Sequence, residues 1–390
     1  MLVHLGDMLR HAYGNGYAVG AFDLVSLDFL QAILAGAERQ NAPVILSLAE
    51  SHYAYFDPEL LMPAVRLASE RARVPVAIHL DHGSSLEAAI RGIRQGFNGV
   101  MVDASTQPLK DNIARTRPVV EMAHACGVPV EGELGYVAGV EGEDAERHPG
   151  EVVYTAPEEA EHYVRETGVD FLAVSIGTVH GRMRGEPRLD FDRLAAINAQ
   201  LDIPLVIHGG TGLGDEQFRR LIQNGVAKIN YYTALADAAG AAIRASAAEP
   251  DRRGYTDLTK GVQAAIQAEV ERCIALWGGV GQADAVLSAC RPWREVEHLV
   301  IYNSSGDPSQ TAAMMAEGRR VLARIPGVRQ VITGTSVRQD AAYPHCWLVR
   351  FANAAVIDSY RDHPDHQAFA DGHFRPLAAD RLTIDYQLDP

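Results

Sequence analysis

The chain has 390 residues, 47% of them hydrophobic, and 35 Lys plus Arg against 50 Asp plus Glu, a formal charge of -15. That length and apolar fraction suffice for a large core, divided over two or three domains. Such an acidic surface repels nucleic-acid phosphates and anionic lipid, so neither is expected as a partner, and an anionic substrate needs a local positive site.

Short β-branched runs recur along the first two thirds of the chain. They are YAVGAFD (17–23), PVILSLAE (43–50), PVAIHLDHG (75–83), GVMVDAS (99–105), PVEGELG (129–135), FLAVSIG (171–177), PLVIHGG (204–210) and KINYYT (228–233). Amphipathic stretches lie between them, among them 27–40, 86–95, 113–126 and 158–167. Strands alternating with helices predict βαβ units on a parallel sheet. Eight such units within about 240 residues match a (β/α)8 TIM barrel. A doubly wound open sheet is the rival, weakened because no GxGxxG follows the first strand.

One connection, 136–157, is long and rich in Gly and charge. It reads either as a lid or as a solvated loop. After GGVGQADAVLSACRPWREVE the pattern resets. EHLVIYN (297–303), VRQVITGTSV (328–337), HCWLVRF (345–351) and LTIDYQL (382–388) read as strands. Segments 311–324, 354–361 and 366–379 read as helices. The resulting β-α-β-β-α-β order predicts a small ferredoxin-like α+β domain. The expected organisation is a barrel over 1–285, a linker over 286–295 and a second domain over 296–390.

Cys126, Cys273, Cys290 and Cys346 are far apart and form no CxxC. This argues against a disulfide framework or thiolate zinc site and for a cytoplasmic protein with reduced thiols. The N-terminus lacks the pattern of a signal peptide, and no apolar run approaches the ~20 residues that span a bilayer.

Residues at the C-terminal ends of barrel strands face the active site. Here they are Asp81 and His82, Asp103, Glu133, His180, His208, Asn230 and Thr233. Three imidazoles suit a catalytic zinc site with an open fourth position. Asp103 and Glu133 would then serve as alternative ligands or as supports behind the histidines. In HGGTG (208–212), the glycines let backbone N–H groups approach a ligand and Thr211 adds a hydroxyl. Together with NYYT it lies where barrels build phosphate sites.

Taken in order and spacing, IHLDHGSSLE, VMVDAS, VEGELG, SIGTVHG, GEPRLDFDRL and HGGTG resemble the class II, metal-dependent ketose-bisphosphate aldolases, from Met1 to about 285. The resemblance implies Zn2+ on His82, His180 and His208, with Asp103 and Glu133 at an alternative metal position, and it allows a monovalent cation as well. It implies Asp81 as the acid/base and Glu141, in the long loop, as the group that moves the carbon proton. Gly181, Gly209, Gly210, Thr211, Asn230 and Thr233 match phosphate-binding positions, and Arg184 offers a further phosphate ligand. The implied reaction is retro-aldol cleavage of a phosphorylated ketose to dihydroxyacetone phosphate and an aldehyde.

Several positions depart from the family pattern. Asp23 replaces the usual Asn, Ala49 a frequent Ser, Ala138 a lid Gly, and Tyr232 an Asp found in some members. The loop after His180 reads GRMRGEP. Asp23 can hydrogen-bond a hydroxyl but repels phosphate, so the substrate need not be fructose 1,6-bisphosphate. A sugar-phosphate epimerase or hydrolase on the same barrel, or a non-catalytic scaffold, are the competing readings. Residues 296–388 are similar to the stress-responsive dimeric α/β-barrel family, on the HPxHxxF segment and the terminal DY strand. That resemblance implies a homodimer or larger homo-oligomer. His363 and His366 read as a packed helix start rather than metal ligands, with Pro364 in its first turn. Lys228, which opens the eighth strand, is the residue to exclude as a Schiff-base amine.

Overall fold

A computed structural model describes residues 1–144, 152–182 and 187–388, without the side chains of residues 140, 141 and 144. The chain divides into two compact units. The first comprises 1–89, 98–120 and 129–292; the second comprises 90–97, 121–128 and 293–390.

Among the described residues, the first unit holds ten strands. In chain order they are β1 (Val19–Asp23), β2 (Val44–Ala49), β3 (Val76–Gly83), β4 (Gly99–Val102), β5 (Val130–Leu134), β6 (Gly139–Asp144), β7 (Phe171–Val174), β8 (His180–Arg182), β9 (Leu205–Ile207) and β10 (Val226–Tyr231). Eight of them close a barrel in the order β1-β10-β9-β7-β5-β4-β3-β2. Closure comes from β1, which pairs in parallel with both β2 and β10. Helices cover the outside, so the barrel strands are buried on both faces, and β1, β2, β4, β7 and β9 read as nearly continuous apolar runs. The helix Leu27–Arg39 is typical. Ser26 caps its N-terminus by accepting from the Phe29 N–H, and Phe29, Leu30, Ile33 and Ala37 form its buried stripe.

One end of the barrel is packed shut. Leu5, Met8, Leu9 and Ala12 of the helix Leu5–Asn15 join a core cluster with Ala21, Ala77, Ala173, Val206 and Ala227. The small residues inside the strands make room for the helix. Each fully buried Leu or Met contributes about 1.5–3 kcal/mol. Chemistry is left to the opposite end, where the strands finish in polar residues.

The second unit carries β11 (Val296–Tyr302), β12 (Val328–Thr335), β13 (His345–Phe351) and β14 (Arg381–Gln387) in an antiparallel sheet of order β12-β13-β11-β14. This is the ferredoxin-like arrangement expected from the sequence. Alternation along β11 and β13 turns His298, Val300, Trp347 and Val349 to one face and Leu299, Ile301 and Leu348 to the other.

Two expectations change. Residues 136–157 are not wholly irregular, because β6 pairs in parallel with β8. Its sequence, GVEGED, has almost no strand propensity; the pairing is supplied by the residues around His180. The stretch read as a linker begins inside a helix, Ala283–Ala289, that buries Ala283 and Val286. Among the described residues, no helix is long and apolar enough to cross a membrane.

Candidate active site

β3 ends in Asp81, His82 and Gly83. On a regular strand, neighbouring side chains point to opposite faces, so Asp81 and His82 would not serve one site. Here the β3–β4 register shifts between Leu80 and Gly83, and His82 takes φ +46°. A bulge with a left-handed non-glycine residue is costly and concentrates at functional sites. It brings His82 Nε2 to 3.9 Å from Asp81 Oδ2.

His180 arrives by another route. It lies beyond the end of β7, on the separate strand β8, and its N–H donates to the Ala138 carbonyl at 2.7 Å. Its partner in the ladder is Gly139, at φ +101°. A Cβ on Gly139 would sit 2.2 Å from the His180 carbonyl oxygen, so only glycine fits. His208 follows β9 directly, and Gly209 turns the chain away at φ +71°.

The three rings converge. Their centroids are 4.7–5.7 Å apart, and one nitrogen from each lies within 4.8 Å of the others. Each ring is aimed by a bond at its other nitrogen. Asp103 Oδ2 lies 2.8 Å from His82 Nδ1, the Val137 carbonyl accepts from His180 Nδ1 at 3.1 Å, and Glu131 Oε1 lies 2.9 Å from His208 Nε2. That leaves His82 Nε2, His180 Nε2 and His208 Nδ1 facing inward, with His82 Nε2 and His208 Nδ1 sharing a hydrogen bond of 2.9 Å. His180 Nε2 is buried with no hydrogen-bond partner among the described residues. A buried, orphaned lone pair beside two more imidazoles is a donor set suited to a divalent metal ion. Carboxylate or carbonyl support behind each ring is how metal-binding histidines are held.

The electrostatics point the same way. Burial pushes His180 down to about 4, with His82 adding to the effect, and burial holds His208 well below the usual histidine range. Burial also opposes charge on His82, but the Asp81 carboxylate and the Asp103 bond override it and raise that ring well above the usual range. Burial works against the Asp81 anion too, yet the imidazoles of His82 and His208 bring its carboxyl down to about 2. The cluster therefore favours one positive charge at its centre. Glu133, fully buried and next to Asp103, is pushed up to about 8. It reaches the same cluster with His82 and Asp103 as a second candidate ligand group.

Sequence reasoning did not single out Glu131. It links the imidazole cluster to Asp81 through wholly buried groups. Glu131 Oε2 lies 2.8 Å from Lys228 Nζ, which donates to Asn230 Oδ1 at 2.6 Å. Asn230 Nδ2 donates in turn to Asp81 Oδ1 at 2.9 Å. Two acids at i, i+2 in the buried strand VEGEL were the available signal, since both must face the barrel interior. Lys228 is thus engaged at its amine by two partners. His79 lies one repeat inward from Asp81, 3.5 Å from Glu131.

Of the expected phosphate-binding positions, Thr233 opens the helix Thr233–Ala247 and its hydroxyl accepts from the Gly142 N–H at 3.0 Å. Thr211 Oγ1 accepts from the Ala234 N–H at 3.3 Å. HGGTG, β6 and this helix N-terminus therefore meet. Gly181 has φ +89°, and Asp23 is buried at the end of β1. Arg184 and the Glu141 side chain lie outside the described residues. A cavity of about 410 Å³ opens over the cluster, lined by His82, Asp103, Glu133, His180, His52 and Tyr55. His52 was not anticipated; its ring packs 4.4 Å from Tyr232.

Residues 3–282 match the family model for class-II fructose-bisphosphate aldolase, and 296–388 that for the stress responsive A/B barrel domain. The chain is 43% identical over 254 residues to a probable fructose-bisphosphate aldolase of Bacillus subtilis, covering 64% of this chain and 88% of that protein. It is 40% identical to the fructose-bisphosphate aldolase of Thermus caldophilus, over 73% of this chain and all of that one. Among solved structures it is similar to the YdjI aldolase of Escherichia coli K12, with TM-score 0.65 and 31% identity over 73% of this chain and all of that one. The chain belongs to the class-II fructose-bisphosphate aldolase family, extended by a stress responsive A/B barrel domain, and is an aldolase, a carbon–carbon lyase.

Proposed function

We propose that the barrel catalyses reversible retro-aldol cleavage of a phosphorylated ketose to dihydroxyacetone phosphate and an aldehyde. The observation that carries this is the convergence of three inward imidazole nitrogens beside the carboxylate of Asp81. A Zn2+ held by His82, His180 and His208 would supply Lewis-acid polarisation of the substrate carbonyl and offset the charge of the ene-diolate. Asp81 takes the proton from the C4 hydroxyl as the C3–C4 bond breaks. The imidazoles around it keep it ionised, and Asn230 holds it in place. Glu141, on β6, returns a proton to the carbon of the ene-diolate. The helix N-terminus at Thr233 and the loop 209–211 bind phosphate through backbone N–H groups. Lys228 is buried and engaged by Glu131 and Asn230, which supports this route over a lysine Schiff base.

The second domain pairs with another copy of itself. Its open sheet face exposes Ile332, Leu382, Ile384 and Tyr386 at 41–49% of their surface, in register with Leu299, Ile301 and Leu348. Cys126, Cys273 and Cys290 are free and buried, in keeping with a reducing, cytoplasmic setting.

The test is a panel of ketose mono- and bisphosphates, with products identified by mass. Release of dihydroxyacetone phosphate, abolished by chelator and restored by zinc, is expected. Full turnover by metal-free protein would overturn the metal route, and epimerised sugar without fragments would overturn cleavage.

A further inference from the structure

β9 and β3 stand opposite each other in the closed barrel, with β2 and β4 flanking β3. The reaction proposed above puts the first phosphate at the loop 209–211, after β9, and the C4 hydroxyl at Asp81, on β3. On that reading, the carbons beyond C4 continue past Asp81 to the rim built by the segments that follow β2 and β4. The C3–C4 electron pair stays on C3, which is then reprotonated, and C4 becomes the aldehyde carbon as its hydroxyl proton passes to Asp81. Nothing beyond C4 takes part in the chemistry, so this rim selects the aldehyde half by its contacts alone.

The rim has a particular chemistry. Ala49 stands opposite Asp81 in the β2–β3 register. A methyl there is small and offers no donor to a phosphate oxygen. The 3-10 helix Glu50–Ala54 follows, and brings Ser51, His52 and Tyr55 to the wall of the cavity of about 410 Å³. The His52 ring is backed by Tyr232 at 4.4 Å, and Tyr232 in turn by Phe29 at 6.2 Å. Tyr55 lies 5.8 Å from His52 and reaches the mouth, with 69% of its surface exposed. Ring faces of this kind suit the C–H surface of a carbon chain, and the hydroxyls of Ser51, Tyr55 and Thr106 suit its OH groups.

On the β4 side the rim presents the Asp103 carboxylate, held by His82 Nδ1 and by the N–H and hydroxyl of Ser105. Asp23 is buried one side-chain layer beneath Ala49 and Asp81, beside Ser47. A phosphate beyond C4 would set about two negative charges against these acids and Asp81 in a partly enclosed cleft, where like charges repel more strongly than in water.

Resting on that reaction, we propose that the aldehyde half of the substrate carries no phosphate. The barrel cleaves ketose 1-phosphates to dihydroxyacetone phosphate and a neutral hydroxyaldehyde, whose carbon chain packs on His52 and Tyr55 and whose hydroxyls meet Ser51, Tyr55 and Thr106.

The experiment runs the full-length, zinc-loaded protein in the condensation direction. Dihydroxyacetone phosphate is offered with each enantiomer of glyceraldehyde or with erythrose, and with the terminal phosphate ester of each, and kcat/KM is compared. Deuterium uptake from D2O into C3 of dihydroxyacetone phosphate, without any aldehyde, reports the underlying reaction by itself. Uptake is expected, and the best neutral aldehyde should exceed every phosphorylated one by at least about tenfold, the worth of one unmatched charged contact. Tyr55→Arg, at an exposed position, should move that ratio at least about tenfold toward the phosphorylated aldehydes, with zinc content reporting that the variant is folded. The proposal is overturned if, with uptake present, no neutral aldehyde condenses, if a phosphorylated aldehyde matches the best neutral one, or if Tyr55→Arg leaves the ratio unchanged. Absence of uptake would instead overturn the reading of dihydroxyacetone phosphate as product, and the proposal with it.

Discussion

Replacing Lys228 by Met tests whether the buried network behind the imidazoles is electrostatic or merely well packed. Lys228 and Glu131 are both fully buried, 2.8 Å apart. Met keeps most of the length and removes the charge. Breaking one side of a buried ion pair costs about 3–5 kcal/mol, because the remaining charge is stranded. Glu131 is stranded in this case, with His79 and His208 as its other neighbours. Its hold on His208 Nε2 changes, and loss of such a partner behind a metal-binding histidine lowers metal affinity about 10–100-fold. Asn230 also loses a donor, which loosens Asp81. The assay is urea unfolding together with zinc affinity by chelator competition, for Lys228→Met, Glu131→Gln and the double variant. The double variant strands no charge, so it should be more stable than the two single losses predict. A cost under about 1 kcal/mol for Lys228→Met, or strict additivity in the cycle, would refute the reasoning.

Asp81→Ala should retain zinc while cleavage falls about 10²–10⁴-fold, the usual contribution of an acid/base group; unchanged turnover would remove Asp81 from the mechanism. Gly139→Ala places a methyl against the His180 carbonyl at a left-handed position; it should lower zinc affinity with little change in the circular dichroism spectrum. Ile384→Lys, at 44% exposure on the open sheet face, should shift the protein to smaller species in sedimentation. An unaltered oligomer would locate assembly elsewhere.

Much of this was legible from the chain alone. The barrel follows from strands apolar on both faces that alternate with amphipathic helices, and the small domain from its β-α-β-β-α-β order. Asp81, His82, Asp103, His180 and His208 stood out because polar residues at the ends of apolar strands have few structural reasons to be there. What only the tertiary structure decided is how these groups are aimed. The bulge at His82 is invisible in sequence, because its left-handed backbone is imposed by the neighbouring strand. β6 has no strand propensity of its own and exists through its pairing with β8. Glu131 becomes part of the site only when barrel closure brings β5 within reach of His208 on one side and Lys228 on the other. Local pattern determines which elements form; hydrogen bonds between residues distant along the chain determine which nitrogen of each histidine faces inward.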